Sequence, residues 1–233
     1  MHSFSSHSTN TSTEIEKVER PRRRSFFKVL EASPQAVKIV KGVEDATINC
    51  RIAMGSKESW NINTSVRSFD EMLRLLAQYS KLNIDLRLET NTVKSSTWII
   101  GNIGKVLGEA LRILTQEKSK TTGIRKLGYS QGLYGEAFAE VRILLTGKAG
   151  CWITRGPNVK FFGRVGEISE EALKSFFVEF AQAIGGTLHV DLIRGEDPYN
   201  LWYATFIAFG EALANAFTED EWYKQQSIVE PTA

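Results

Sequence analysis

Three short phrases occur twice along this chain, in the same order and at similar separations. LLAQ (75–78), LNIDL (82–86) and LGEAL (107–111) are answered by EFAQ (179–182), LHVDL (188–192) and FGEAL (209–213). An internal repeat restricts a fold strongly, because each copy is one supersecondary unit whose apolar face its neighbour must cover. The local patterns define the unit. KVLEA (28–32), AVKIV (36–40) and TINCRIAM (47–54) read as strands, the last with Ile48, Cys50, Ile52 and Met54 on one face. GSKES is a turn, and WNINTSV (60–66) reads as a further strand. At SFDEMLRLLAQYSK the period changes, and Phe69, Met72, Leu73, Leu76 and Tyr79 share one helical face. Ser68 is placed as an N-cap, with Glu71 three residues on as in a capping box. LNIDLRLE is a strand again, and STWIIGNIGKVLGEALRILTQ is a long apolar helix.

The second half follows the same plan. EAFAEVRILLTGK and CWITRG read as paired strands, and SEEALKSFFVEFAQAI as a helix capped by Ser169. GGTLHVDLIRG is a strand and YNLWYATFIAFGEALANAF a long helix. The expected class is α+β, with duplicated β-β-α-β-α halves, about 28–125 and 126–222, in a single domain. Two mostly antiparallel sheets would carry helices on one side each, with the halves face to face. Residues 1–27 are poor in apolar side chains and read as a mobile tail, and 223–233 as a C-terminal tail. Glu14, Glu16 and Glu19 argue against an organelle transit peptide, although the Ser/Thr-rich start leaves targeting open. Arg20, Arg22, Arg23 and Arg24 form a solvated hinge or an anion contact.

Composition removes several classes. The formal net charge is +2, with basic and acidic residues nearly balanced, so there is no footprint for nucleic acid. No run of 18 apolar residues predicts a membrane span, and no secretory signal opens the chain, so a cytoplasmic protein is expected. Cys50 and Cys151 stand far apart with no CxxC or Cys/His cluster, which argues against zinc and for small buried hydrophobes in a reducing compartment. GxGxxG, GxxxxGK[ST] and GxSxG are all missing.

Several phrases, in order, resemble imidazoleglycerol-phosphate dehydratases: FDEML (69–73), LAQYSKLNIDLRLE (76–89), LGEAL (107–111), GIRKLG (123–128), EAFAEVRILLTGK (136–148) and TLHV (187–190). The resemblance spans about residues 43–217 and implies the ribosomal protein S5 domain 2-like fold. That family holds two manganese ions with a histidine after the first helix, two HHxxE motifs on the long helices and the histidine of a TLH strand. In HHxxE, the i and i+4 side chains share a helical face and converge on one ion. Here the first-helix histidine position is Tyr79, the first HHxxE is Thr97, Trp98 and Gly101, and the second is Tyr199, Asn200 and Tyr203. Only His189 stands at a ligand position, and the other two of the three histidines, His2 and His7, lie in the tail. One imidazole does not make a manganese site, so no metal and no cofactor is expected. The family's substrate-facing histidine is Glu71 here. Of the phosphate clamp, Lys126 replaces one arginine, with Arg125 beside it, Lys148 replaces another, and Ile207 replaces a lysine. Lysine keeps the charge without the planar two-pronged grip.

The remaining polar residues carry two readings each. Glu71 is a capping residue or a general base. His189 is a hydrogen-bonded core residue or a catalyst. Glu136, matching a family acid, positions substrate or closes a salt bridge. The aromatic replacements at Trp98, Tyr199 and Tyr203, with Trp202, fill the vacated space or line a remodelled pocket with Tyr79 and Asn200. Two functions follow. One is a metal-independent lyase or cyclase that expels phosphate or sulfate from a small anionic metabolite. Its catalytic residues would be Glu71, His189 and Glu136, with Arg125, Lys126 and Lys148 on the leaving anion. The other is a non-catalytic ligand-binding or scaffold subunit. The resemblance also implies a homo-oligomer, trimeric or larger, or a mixed one with a related subunit.

Overall fold

A computed structural model describes residues 26–226. The first half contains β1 (Phe26–Ala32), β2 (Ala36–Val43), β3 (Ala46–Ala53), β4 (Ile62–Asn63), α1 (Arg67–Ser80), β5 (Asn83–Thr90) and α2 (Ser96–Thr121). The second contains β6 (Leu127–Tyr134), β7 (Ala137–Leu144), β8 (Gly150–Arg155), the short pair β9 (Arg164–Val165) and β10 (Ile168–Ser169), α3 (Glu170–Ile184), β11 (Thr187–Arg194) and α4 (Pro198–Ala216). A short α5 (Glu221–Gln226) follows. The sheets run β1-β2-β3-β5-β4 and β6-β7-β11-β8. Apart from the added β1, they share one order, with first, second, fourth and third strands side by side. In each, the last pair is parallel, β4 on β5 and β8 on β11. The chain is therefore α+β and duplicated.

The helices form the middle layer, α2 against α3 and α1 against α4, while α2 lies on the first sheet and α3 and α4 on the second. The repeated GEAL phrase has a packing cause. A Cβ at Gly108 would lie 2.5 Å from the Phe180 carbonyl oxygen, and one at Gly210 would lie 2.9 Å from that of Leu76. Backbones this close exclude any larger residue at either crossing. The buried aromatic cluster of Phe69, Phe176, Phe177, Phe180, Phe206 and Phe209 fills the space between helices. Phe176 alone touches five of these rings' edges or faces at separations typical of stable aromatic pairs.

Three local expectations are corrected and one strand is added. WNINTSV supplies only the two-residue β4, because the chain turns at Ser65, whose φ is +67°. CWITRG does not pair with EAFAEVRILLTGK; β11 lies between them. LGYSQGLY is a strand, β6, that apolar alternation does not reveal, since its inward residues are Gly128, Ser130 and Gly132. α4 sits directly on that face: Cβ atoms at Gly128 and Gly132 would come within 1.8 and 1.9 Å of the Ala212 and Ala204 carbonyl oxygens. The capping box at Ser68 does not form. α1 starts at Arg67 with no side-chain cap, and the Ser68 hydroxyl donates to Glu167 Oε2 at 2.8 Å. Asp70 instead accepts from the Thr64 N–H and hydroxyl at 2.9 and 2.6 Å, fastening the loop before the helix. Ser169 does cap α3, accepting from the Ala172 N–H at 3.1 Å. The tail expectations for residues 1–25 and 227–233, including the arginine cluster, His2 and His7, lie outside the described residues. Phe26 and Phe27, assigned to the tail, already belong to β1.

Candidate functional site

The duplication creates two equivalent places, each where a long helix begins beside a short helix of the other half. Aligning LGEAL with FGEAL sets Thr97, Trp98 and Gly101 of α2 opposite Tyr199, Asn200 and Tyr203 of α4. The two places have diverged.

At the α4 place, side chains close on one another. The Tyr203 hydroxyl donates to Glu71 Oε2 at 2.5 Å, joining α4 to α1. Burial, and then the Glu71 carboxylate, push the Tyr203 phenol far above its ordinary value, so it remains a donor. Its ring meets Tyr134 and Tyr199 edge-on, at 5.1 and 6.1 Å between centroids. Arg67 lies 3.6 Å from the other Glu71 oxygen. Glu136 has a structural post. It accepts the Glu196 and Asp197 N–H groups at 3.1 and 3.0 Å and the Asn200 amide at 2.6 Å. The Asp197 N–H foremost, then the Asn200 amide, hold its carboxyl down at about 2. Asp197 caps α4 by accepting the Asn200 N–H at 2.9 Å. Tyr79 stands at the α1–α4 crossing against Gly210.

At the α2 place a cavity of about 200 Å³ remains, lined by Thr97, Trp98, Gly101, Asn102, Lys105, Ser175 and Glu179. All three positions that the resemblance aligns with the first HHxxE motif, Thr97, Trp98 and Gly101, border it. Trp98 also lies under the Lys94 ammonium, 5.1 Å from the ring centroid, and Lys94 is ion-paired to Glu44 and Asp45.

His189 belongs to neither place, and it is not the core residue expected from its apolar neighbours. Its strand position points it to the outer face of the second sheet, where it is exposed and stacked on Trp152 at 4.9 Å. The basic trio is spread out. Lys126 lines a shallow concavity of about 700 Å³ with Lys120, Thr146 and Gly147. Lys148 follows Gly147 in the same turn, but its side chain is not part of that lining; its carbonyl accepts from the Thr187 hydroxyl. Arg125 is exposed beside it, its N–H donating to the Thr218 carbonyl at 3.0 Å. Lys126 takes a left-handed backbone, φ +62°, which turns the chain from α2 into β6.

The residues at the family's ligand positions do not fit a divalent transition metal. Among the described residues, no three His, Cys, Asp or Glu side chains gather to hold an ion. At the α4 place one Glu71 oxygen is occupied by a phenol, and Glu136 is held by two backbone N–H groups and the Asn200 amide. Sequence reasoning missed Lys41, Asn102, Lys105 and Glu179; α2's apolar pattern hid the polar stripe that Asn102 and Lys105 begin.

Comparison with known proteins bears on the family and the fold. The family model described as imidazoleglycerol-phosphate dehydratase matches residues 64–213. An imidazoleglycerol-phosphate dehydratase of Acetivibrio thermocellus is 31% identical over 180 residues, covering 77% of this chain and 88% of the relative. One from an Azoarcus species is 27% identical over 188 residues, covering 78% and 91%. The crystal structure of the Staphylococcus aureus enzyme superposes with a TM-score of 0.64 at 24% identity, over 75% of this chain and 95% of that one. The Pyrococcus furiosus enzyme gives 0.65 at 20%, over 78% and 94%. At those identities the structures establish the fold alone.

Proposed function

The chain belongs to the imidazoleglycerol-phosphate dehydratase family, and from that premise we propose that it is a non-catalytic, metal-independent relative. It would serve as a subunit that binds a small anionic metabolite or scaffolds an oligomer. The observation that carries this reading is the Tyr203–Glu71 hydrogen bond, which uses the substrate-facing carboxylate to join two helices. The other two candidate acid–base groups are engaged as well. Glu136 anchors the start of α4, and His189 stacks on Trp152 on the outer face of the sheet. General acid–base catalysis needs such groups within hydrogen-bond reach of one reacting centre, and here His189 lies on another face while Glu71 and Glu136 are each taken up in holding α4.

A second reading, a metal-independent lyase or cyclase that expels phosphate or sulfate, draws on Lys126. That ammonium stands at a concave wall, where it could stabilise a leaving anion. Neither reading calls for nucleic acid. No helix among the described residues is long and apolar enough to cross a membrane.

The test is an assay of the purified protein on imidazoleglycerol phosphate with and without added manganese, beside elemental analysis of the protein as isolated. The expected outcome is no dehydration above the blank and no stoichiometric transition metal. Manganese-dependent turnover would overturn the proposal, and phosphate release from another phosphorylated metabolite would favour the second reading.

A further inference from the structure

Trp60, just before β4, packs against the core, yet among the described residues its buried indole N–H has no acceptor. A buried indole normally finds one, so this donor is unmet. Trp60 is also one wall of a cavity of about 140 Å³, with Lys57, Gln78, Lys81, Leu82 and Asn83 among its other walls. The cavity lies between the loop that follows β3 and the end of α1.

Both sides are fixed. Asn83, 4% exposed, donates its amide to the Ser56 carbonyl and accepts the Glu58 N–H, each at 2.8 Å, which ties the loop to β5. Opposite, α1 ends at Lys81 with a left-handed backbone, φ +58°, and Leu82 after it is buried. The lining carries two ammonium groups and no carboxylate. Among the described residues neither lysine has an ion pair or a side-chain hydrogen bond; Lys57 lies over the Trp60 ring, 5.0 Å from its centroid. The carbonyl end of α1 offsets only about half an elementary charge, so the cavity stays positive. Apolar walls with a few converging polar groups are the usual make-up of a small-ligand site.

We propose that this cavity binds the carboxylate of a small organic acid. Lys57 and Lys81 balance its charge, the Trp60 N–H donates to one oxygen, and the short apolar body lies against Leu82 and the Trp60 ring. Lys57 turns from the ring to the carboxylate without breaking a hydrogen bond. Water takes about 30 Å³ per molecule in the liquid, so a cavity of about 140 Å³ matches an acid of roughly four to six non-hydrogen atoms. The site shares no residue with the Lys126 concavity or with the cavity at the α2 place. The proposal rests on the reading that the chain binds a small anion, and names the chemical class and the place.

Butyrate is the probe, and the indole N–H resonances of the isotope-labelled full chain are the readout. The Trp60 resonance is the one missing from Trp60→Phe. Butyrate at low ionic strength should move it downfield, saturably, as the N–H gains an acceptor. Butyramide, neutral and of the same shape, should need at least about tenfold more, because hydrogen bonds to a charged group are the stronger ones. In calorimetric titration Trp60→Phe should weaken butyrate binding at least about fivefold. Should Trp60→Phe fold poorly, the exposed pair Lys57→Gln and Lys81→Gln serves as a second variant. Together they should weaken binding at least about fivefold and reduce its dependence on salt. A Trp60 resonance that butyrate leaves in place, an equal response to butyramide, or affinity unchanged in both variants overturns the site. If butyrate binding disappears only when Lys126 and Lys148 are replaced, this site fails while the anion-binding function stands. If neither butyrate nor sulfate binds the full chain, that function falls with it.

Discussion

The Tyr203 hydroxyl and Glu71 Oε2 lie 2.5 Å apart, one on α4 and the other on α1. The bond joins the start of α4 to the start of α1. Tyr203→Phe deletes the donor while keeping the ring that packs on Tyr134. The expected loss is about 1 kcal/mol, since the bond is charge-assisted but Glu71 is partly solvated. That corresponds to a Tm lower by about 2–4 °C for a chain of this size. A Tm equal to that of the parent would show that the bond contributes nothing.

Gly108 and Gly210 test the helix crossings. Helix propensity alone favours Gly→Ala by about 1 kcal/mol. The observed approaches, 2.5 Å for Gly108 and 2.9 Å for Gly210, reverse the sign, since backbone carbonyls cannot move aside. Each alanine should destabilise by about 1–3 kcal/mol, with Gly108→Ala the worse. Chemical denaturation measures both, and stabilisation by either would contradict the packing.

Glu136 gives a prediction in acid. Its folded value, about 2, lies below its ordinary 4.5, so the folded state favours the carboxylate. The stability it provides is complete above pH 4.5 and is lost as pH falls toward 2. Glu136→Gln should therefore melt lower than the parent at pH 6, with the gap closing at pH 2.5. A gap independent of pH would indicate lost packing instead.

The Lys126 concavity predicts stabilisation by anions. Sulfate at a hundredfold excess over its dissociation constant should add about 2.7 kcal/mol. Replacing Lys126 and Lys148 with methionine should remove that gain. Melts at matched ionic strength decide this, and an undiminished gain would mean these lysines are plain surface residues.

The outer face of the second sheet predicts association. Leu127, Tyr129, Leu133 and Trp152 project from it at 54, 45, 65 and 52% exposure, interspersed with the Arg142–Asp191 pair. Light scattering at micromolar concentration should give a mass well above 26.1 kDa, and Trp152→Glu should reduce it. A monomeric parent protein would exclude assembly through this face.

The sequence by itself determined the duplication, the four long and short helices, most strands and the missing metal ligands. Each is written in periodicity or in residue identity, which need no partner to be read. Leu76 and Phe180, for example, announce their helices and their equivalence directly. What depends on contacts between distant segments was decided only by the tertiary structure. β6 stayed hidden because its inward residues are small to admit α4, so the apolar signal is carried by the helix instead of the strand. Ser68 has the right spacing for a capping box, yet Glu167, brought close by the β9–β10 turn, is the stronger acceptor for its hydroxyl. His189 looks buried among Leu188 and Val190, but strand alternation turns it to the open face. Lys41 and Asn102 are 61 residues apart, and only the seating of α2 on β2 makes them neighbours. Local sequence encodes which face of an element is apolar; which polar groups meet across elements is set by how those faces are stacked.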